Sequence, residues 1–256
     1  MRLAIMQPYL FPYVGYFQLA AAVDRFVFFD DVQYIQRGWI NRNRFPMNGE
    51  PHYFTVPVRH GGQHAMIKDV MVAAEQHRMM RQTVKTVGQR YQRSPEFSRV
   101  FPIFEAVMRR REVSIAEMAM ESVRSVFQYL ECGPAWVVSS SRDYANRHLS
   151  GQDRVIDICR QEGASLYVNP PNGRYLYSSS VFRGQGVELR FLNPVMEPYD
   201  NGPGTFLPAM SIIDLLMHLP KDEVRRQIQT VFLDDQDQVA GLDGNTRTVE
   251  SLAACP

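Results

Sequence analysis

The chain has 256 residues, 45% hydrophobic and 21% charged, with 28 Lys and Arg balancing 27 Asp and Glu to a formal charge of +1. This composition excludes a disordered chain, and the near-neutral balance leaves no global field to attract nucleic acid or an anionic membrane. No apolar run reaches the ~20 residues of a membrane span, and Pro8 and Tyr9 interrupt the segment where a secretory signal needs continuous apolar residues. A cytoplasmic protein with no membrane insertion and no nucleic-acid partner is therefore expected.

In chain order, residues 2–6 and 25–30 are short apolar runs bounded by turn residues, the pattern of strands buried on both faces. Residues 15–23 between them fit a helix. Strand, loop, helix and strand make a crossover unit of a parallel sheet, and such sheets bind ligands outside the carboxyl ends of their strands. Gln7, Tyr9, Tyr13 and Tyr16 follow the first strand. Asp30, Asp31, Gln33 and Tyr34 follow the second, with Trp39, Asn41, Arg42 and Asn43 shortly after. Carboxylates and amides pair with hydroxyls and ring nitrogens, an aromatic face stacks, and Arg offers a fork for phosphate or carboxylate, so the set suits a sugar or a nucleotide. A structural alternative stays open, in which Asp30 or Asp31 caps a turn and Arg42 bridges to one of them.

Residues 54–58 and 67–72 read as strands around Gly61-Gly62, a small hairpin insertion. From about 76 to 131 the pattern is helical: Met80, Val84 and Val87, then Phe101, Phe104 and Met108, then Ile115, Met118, Val123 and Phe127 recur at three to four residues. Ser94-Pro95 and Ser114 break the run, and Ser114 with Glu117 forms a capping box.

Residues 136–139 reopen the sheet. A helix at 152–162, a strand at 166–169, a short helix near Val181, a strand at 187–192 and a helix at 211–219 follow. Ser211 is the N-cap of that last helix, with Asp214 completing most of a capping box. The alternation implies parallel strands, so the ends after Asn169 and Leu192 should open on the same rim as Gln7 and Asp30. Asn169-Pro170-Pro171-Asn172-Gly173 reads as a rigid turn, either a binding loop or a plain turn with Gly173 at positive φ. Tyr175 and Tyr177 alternate toward one side, and Tyr199 is a further candidate for the rim. The expected architecture is α/β: one domain over 1–233, with a parallel-sheet Rossmann-like core, a helical insertion at about 76–131, the small β-hairpin insertion, and a flexible tail at 234–256.

Cys132, Cys159 and Cys255 are too few and too far apart for a disulfide framework or a zinc motif, and Cys159 falls on the apolar face of its helix. His60 and His64 are two ligands short of a zinc site, so no metal is expected. No P-loop, G-x-G-x-x-G, G-x-S-x-G or H-E-x-x-H pattern is present, which leaves kinase, dinucleotide-dependent dehydrogenase, α/β-hydrolase and zincin readings without support.

The segments MQPYLFPYVGYFQL, FFDDVQYIQRGWINRN, YVNPPNGRYLY and FLPAMSIIDLLMHL, spread over residues 2–219, resemble the WbqC-like family associated with bacterial surface-polysaccharide and O-antigen gene clusters. The resemblance implies a bacterial cytoplasmic protein acting on an activated sugar or another small activated metabolite. A weaker resemblance links the first strand, the Pro-containing loop and Tyr13-Val14-Gly15-Tyr16 to the nucleotidyltransferase and pantothenate-synthetase superfamily. In that superfamily a His-x-Gly-His element holds the triphosphate at a helix N-terminus. It implies a nucleotidyltransferase-like core in which Tyr13 and Tyr16 keep hydroxyl donors but cannot be cationic.

Site and resemblance together lead to the expectation of a transferase or amide-forming ligase that moves an acyl or aminoacyl group to the amine of a small metabolite, free or carrier-bound. Asp30 or Asp31 would orient or deprotonate the amine, and Gln7, Asn43 or Arg42 would stabilise charge on the acyl oxygen. ATP and an acyl thioester both remain open as donors. The alternative is a noncatalytic sugar-nucleotide-binding or scaffold protein of polysaccharide assembly.

Overall fold

The computed structural model describes residues 1–59, 62, 64–73, 77–202 and 204–234. Its centre is a six-stranded sheet in the order β10-β9-β8-β1-β2-β7. The strands are β1 (Arg2–Met6), β2 (Arg25–Phe28), β7 (Ala135–Val138), β8 (Leu166–Asn169), β9 (Glu188–Asn193) and β10 (Phe232–Asp234). All neighbours pair in parallel except β10, which runs antiparallel to β9. The chain builds outward from β1 through β2 to β7, then returns to the other side of β1 to add β8 and β9. The direction of building reverses between β1 and β8, and a reversal of that kind opens a crevice at the carboxyl ends of the two strands.

Strand residues alternate between two cores. Ala4, Phe26, Phe28, Val168 and Leu192 face the larger one, which is covered by α1 (Val14–Ala21), α4 (Ile115–Leu130), α8 (Ile212–His218) and α9 (Lys221–Gln229). Leu3, Ile5, Val27, Tyr167 and Phe191 face the smaller one, under α6 (Gly151–Gln161) and α7 (Ser179–Gly184). Burial on both faces is why these strands read as continuous apolar runs. Helix α1 is buried at almost every position, so it carries no amphipathic stripe and its limits come from the turns at its ends.

The helical segment comprises α2 (His77–Tyr91), α3 (Phe97–Met108) and α4. The capping box forms as expected: Ser114 Oγ accepts from Glu117 N at 3.2 Å, and Glu117 Oε2 accepts from Ser114 N at 2.7 Å.

Between β2 and α2 the chain differs from the expected single hairpin. The hairpin is β3 (Arg42–Met47) with β4 (Glu50–Thr55), joined by Asn48-Gly49 at φ 55° and 79°. Two consecutive positive φ values are what a tight two-residue hairpin turn demands, and Asn-Gly supplies them cheaply. Val58 does pair with Val72, in the short ribbon of β5 (Val58–Arg59) and β6 (Met71–Val72), but Ile67–Asp69 is a 3-10 turn rather than a strand. His60, Gly61 and the tail beyond Asp234, Cys255 included, lie outside the described residues.

Candidate functional site

The carboxyl ends of β1, β2, β7 and β8 form one rim. After β2, Asp30 and Asp31 turn inward, 2% and 5% exposed. Asp30 Oδ1 accepts from Ser140 N and Ser139 Oγ, both at 2.9 Å, and its Oδ2 accepts from Ser140 Oγ at 2.6 Å. Asp31 Oδ1 lies 2.6 Å from the same Ser139 Oγ, and its Oδ2 accepts from Arg154 Nη2 at 2.6 Å. Ser139 and Ser140 open the four-residue α5 (Ser139–Arg142) directly after β7. A hydroxyl has one proton, so Ser139 shares it between two carboxylates while accepting from Asp30 N at 3.2 Å.

Arg154 comes from α6. It donates to Asp31 O at 3.2 Å and to Asn146 Oδ1 at 3.1 Å, and packs over the Phe29 ring at 4.6 Å. The sequence-level alternative of a bridge from Arg42 to this pair does not form; Arg154 fills that place.

The β1–α1 loop is held by side chains. Phe11 sits at φ 42°, fully buried, with its N–H on Ser122 Oγ at 2.8 Å and its carbonyl taking Asn43 Nδ2 at 2.7 Å and Ser211 Oγ at 2.8 Å. A phenylalanine in the left-handed region is unusual, and these three bonds compensate for the strain. Asn43 also donates to Leu10 O at 2.9 Å, so its amide is used in holding the loop. Asn41 donates to Val56 O at 2.8 Å and ties the loop before β3 to the end of β4. Tyr16 donates to Gln7 O at 2.9 Å and stacks obliquely on Tyr9 at 5.7 Å. Burial raises the hydroxyl pKa of Tyr13 and, further, of Tyr16. The Tyr13 ring lies against Gly15, where a Cβ would meet ring carbon Cε2 at 2.5 Å.

After β8, Pro171–Tyr175 is a 3-10 turn. Gly173 is not at positive φ; it is needed because a Cβ there would lie 1.7 Å from Asn169 Nδ2. Tyr175 and Tyr177 part rather than sharing a side. Tyr175 is 95% exposed, whereas Tyr177 packs edge-on against Tyr167 and Phe182.

Trp39, Arg42 and Tyr34 come together beside the loop. Leu10 N donates to Trp39 O at 3.1 Å, Arg42 lies 5.6 Å from the Trp39 ring centre, and its charge acts on Tyr34, whose hydroxyl pKa burial raises. Gln33 is exposed and forms an isolated backbone bridge with Met66. Tyr199 belongs to a separate cluster. It donates to the fully buried Asp214 at 2.6 Å, alongside Tyr91 at 2.7 Å and Asn201 at 3.3 Å. Asp214 therefore does not complete a capping box; burial raises its carboxyl pKa, and these donors hold it inward.

Sequence reasoning missed Ser139, Ser140, Arg154, Arg44 and Tyr53. The serines carried a signal, since they directly follow a strand on the same rim. Arg154 carried a weaker one, a lone guanidinium on the apolar side of its helix. Away from the rim, a groove of about 380 Å³ between α3 and α4 is lined by Arg99, Ile103, Arg110, Glu121 and Tyr129. Among the described residues no helix is long and apolar enough to cross a membrane.

The chain is 26% identical over 224 residues to the uncharacterized protein Rv1507c of Mycobacterium tuberculosis, covering 85% of this chain and 94% of that one. No solved structure matches it. The model of the WbqC-like protein family matches residues 7–226, which span the loop after β1, the Asp30-Asp31 pair, the turn after β8 and most of α9, and the chain therefore belongs to that family.

Proposed function

We propose that the protein transfers an acyl or aminoacyl group to the amine of a small activated metabolite, forming an amide at the rim between β1, β2 and β8. The new C–N bond replaces the bond from the acyl carbon to the donor's leaving group, which departs with the proton taken from the amine. The observation that carries this reading is the Asp30-Asp31 pair bridged by Ser139 at the carboxyl end of β2, next to the crevice where the sheet reverses its order. Of the two carboxylates, Asp30 is the base. Its partners are serine hydroxyls and an N–H rather than a guanidinium, and Oδ2 keeps a lone pair for the proton of an attacking amine. Asp31, paired with Arg154, positions Ser139 and through it Asp30. Gln7, at the end of β1, supplies an amide donor for the negative charge that develops on the acyl oxygen.

The packing of Tyr13 favours a thioester over ATP as the donor. Its ring occupies the space beside Gly15 at the start of α1, the place where a helix N-terminus would receive a triphosphate. A role in surface-glycan or related biosynthesis, in the cytoplasm, fits the family and belongs to the same proposal.

The test is to incubate the protein with amine-bearing sugar nucleotides and acyl thioesters and to follow amide formation by mass spectrometry. Asp30→Asn should lower turnover by about 10²–10⁴-fold with the fold retained, the usual contribution of a positioned base. Saturable binding of the amine without product would instead favour the scaffold reading.

A further inference from the structure

Beside the β1–α1 loop, β3 presents two arginines on one face. Arg42 and Arg44 are two residues apart on the strand, so both project to the same side. Both pack on the same indole: the Arg42 and Arg44 guanidinium carbons each lie 5.6 Å from the Trp39 ring centre. Tyr53, opposite Arg44 on β4, extends the platform, with its ring 6.3 Å from that of Trp39 at 23° and 5.3 Å from the Arg42 guanidinium.

Among the described residues the two charges have no acidic counterpart. Among the described residues neither arginine forms an ion pair, whereas most other arginines near the sheet, such as Arg25, Arg142, Arg154 and Arg174, are matched to a carboxylate. Arg42 spends Nε on Gly38 O at 3.1 Å. Arg44 Nε is buried without any hydrogen-bond partner, and among the described residues no other buried side-chain nitrogen or oxygen is in that position. Like charges held side by side repel, so an anion from outside the chain would be stabilised beside them. Arg37, exposed in the same loop at φ 60°, adds a third positive charge.

We infer that Trp39, Arg42, Tyr53 and Arg44 form a phosphate-binding subsite, in which the guanidinium forks hold the phosphate groups of a small ligand and the Trp39–Tyr53 platform takes a planar ring attached to them. Guanidinium forks match phosphate oxygens two at a time, and aromatic faces favour a base. The platform joins the rim through the Leu10–Trp39 hydrogen bond and through Asn43, which lies between the two arginines on β3 and grips Leu10 and Phe11. The subsite stands apart from the functional reading above, because Asn43 turns its side chain to the β1–α1 loop and strand alternation puts Arg42 and Arg44 on the opposite face of β3.

Isothermal titration in the absence of any acyl donor tests this apart from turnover. The probes are ADP, GDP, CDP and UDP, inorganic diphosphate, a phosphate-free nucleoside and a short single-stranded oligonucleotide. Diphosphate-bearing probes should bind, more weakly at higher salt, and Arg42→Gln with Arg44→Gln should weaken them at least tenfold. Arg44→Lys, which keeps the charge but not the fork, should fall between, and unchanged melting of the free variants separates lost contact from lost fold. If Trp39→Leu weakens a nucleoside diphosphate but not inorganic diphosphate, the ligand is a nucleotide; equal binding of both, unaffected by Trp39→Leu, assigns capture of a phosphate without a base. Binding untouched by the arginine variants, binding by the oligonucleotide alone, or no binding by any probe overturns the subsite. Amide formation without diphosphate binding would sink the subsite and leave the transfer reaction standing, and the reverse result would do the opposite.

Discussion

Arg154 Nη2 stands 2.6 Å from Asp31 Oδ2, with the two side chains 9% and 4% exposed, so a helix on one face of the sheet is pinned to the end of a strand by a buried ion pair. Buried pairs contribute little relative to a well-packed apolar substitute, but removing one partner strands the other charge. Arg154→Met should therefore destabilise the protein by about 3–5 kcal/mol in urea unfolding, and Asp31→Asn in the Arg154→Met background should recover part of the loss. Additive losses in the double variant would show that the two side chains do not act as a pair.

Gly15 and Tyr13 should be coupled with a change of sign. Gly15→Ala places a Cβ 2.5 Å from the Tyr13 ring, and displacing that ring should cost about 1–3 kcal/mol. With Tyr13→Ala already made, the nearest clash is gone and the same substitution gains helix propensity, up to about 1 kcal/mol. A double-mutant cycle by chemical denaturation reads this directly; equal effects of Gly15→Ala in both backgrounds would place the cost elsewhere.

Glu162 gives a pH-dependent contribution. Burial pushes its carboxyl pKa up, but donors from Tyr144, Arg25 and Arg142 outweigh burial and hold it below the ordinary glutamate range. A lowered folded-state value means that the contribution is full above the unfolded carboxyl range and is lost as pH falls through the folded value. Glu162→Gln should thus cost about 2–3 kcal/mol at pH 7, and the gap to the parent should close in acid below the glutamate range. A gap that stays constant from pH 7 to pH 3 would contradict this assignment.

Cys159 should be chemically silent in the folded protein. It is fully buried on α6, and burial pushes its thiol pKa up to about 12, so the reactive thiolate is scarce at neutral pH. Maleimide labelling followed by peptide mass spectrometry should leave Cys159 unmodified until denaturant is added.

The central strands were legible because they are buried on both faces. Arg2–Met6 and Leu166–Asn169 stand at the residues where their apolar runs begin and end. Ser114 announced its helix because a capping box is a local interaction. The β3–β4 hairpin was harder to see, since β3 opens on Arg42-Asn43-Arg44 and β4 carries Glu50, His52 and Thr55, with a proline in each strand, and only Asn48-Gly49 marked it. Helix α9 follows Pro220 and is rich in charges, and β10 is only the three residues Phe232–Asp234, so neither carries a strong local pattern.

For the site, the sequence pointed to the rim through Gln7, Asp30 and Asn169, because strand ends follow from strand assignments. It did not separate residues that face a ligand from those that hold the loop. Asn43 and Asn41 are spent on backbone carbonyls, and Asp31 on Arg154, through contacts between segments up to 123 residues apart. Such partners are fixed by packing, which no local pattern encodes.

Hydrogen–deuterium exchange with and without a nucleotide-linked amino sugar tests the location of the site most directly. Protection confined to residues 7–16, 30–44 and 169–177 is the expected result, and it should vanish with Asp30→Asn combined with Arg42→Gln. Protection of the groove between α3 and α4 instead, with these segments unchanged, would contradict a site at the carboxyl rim.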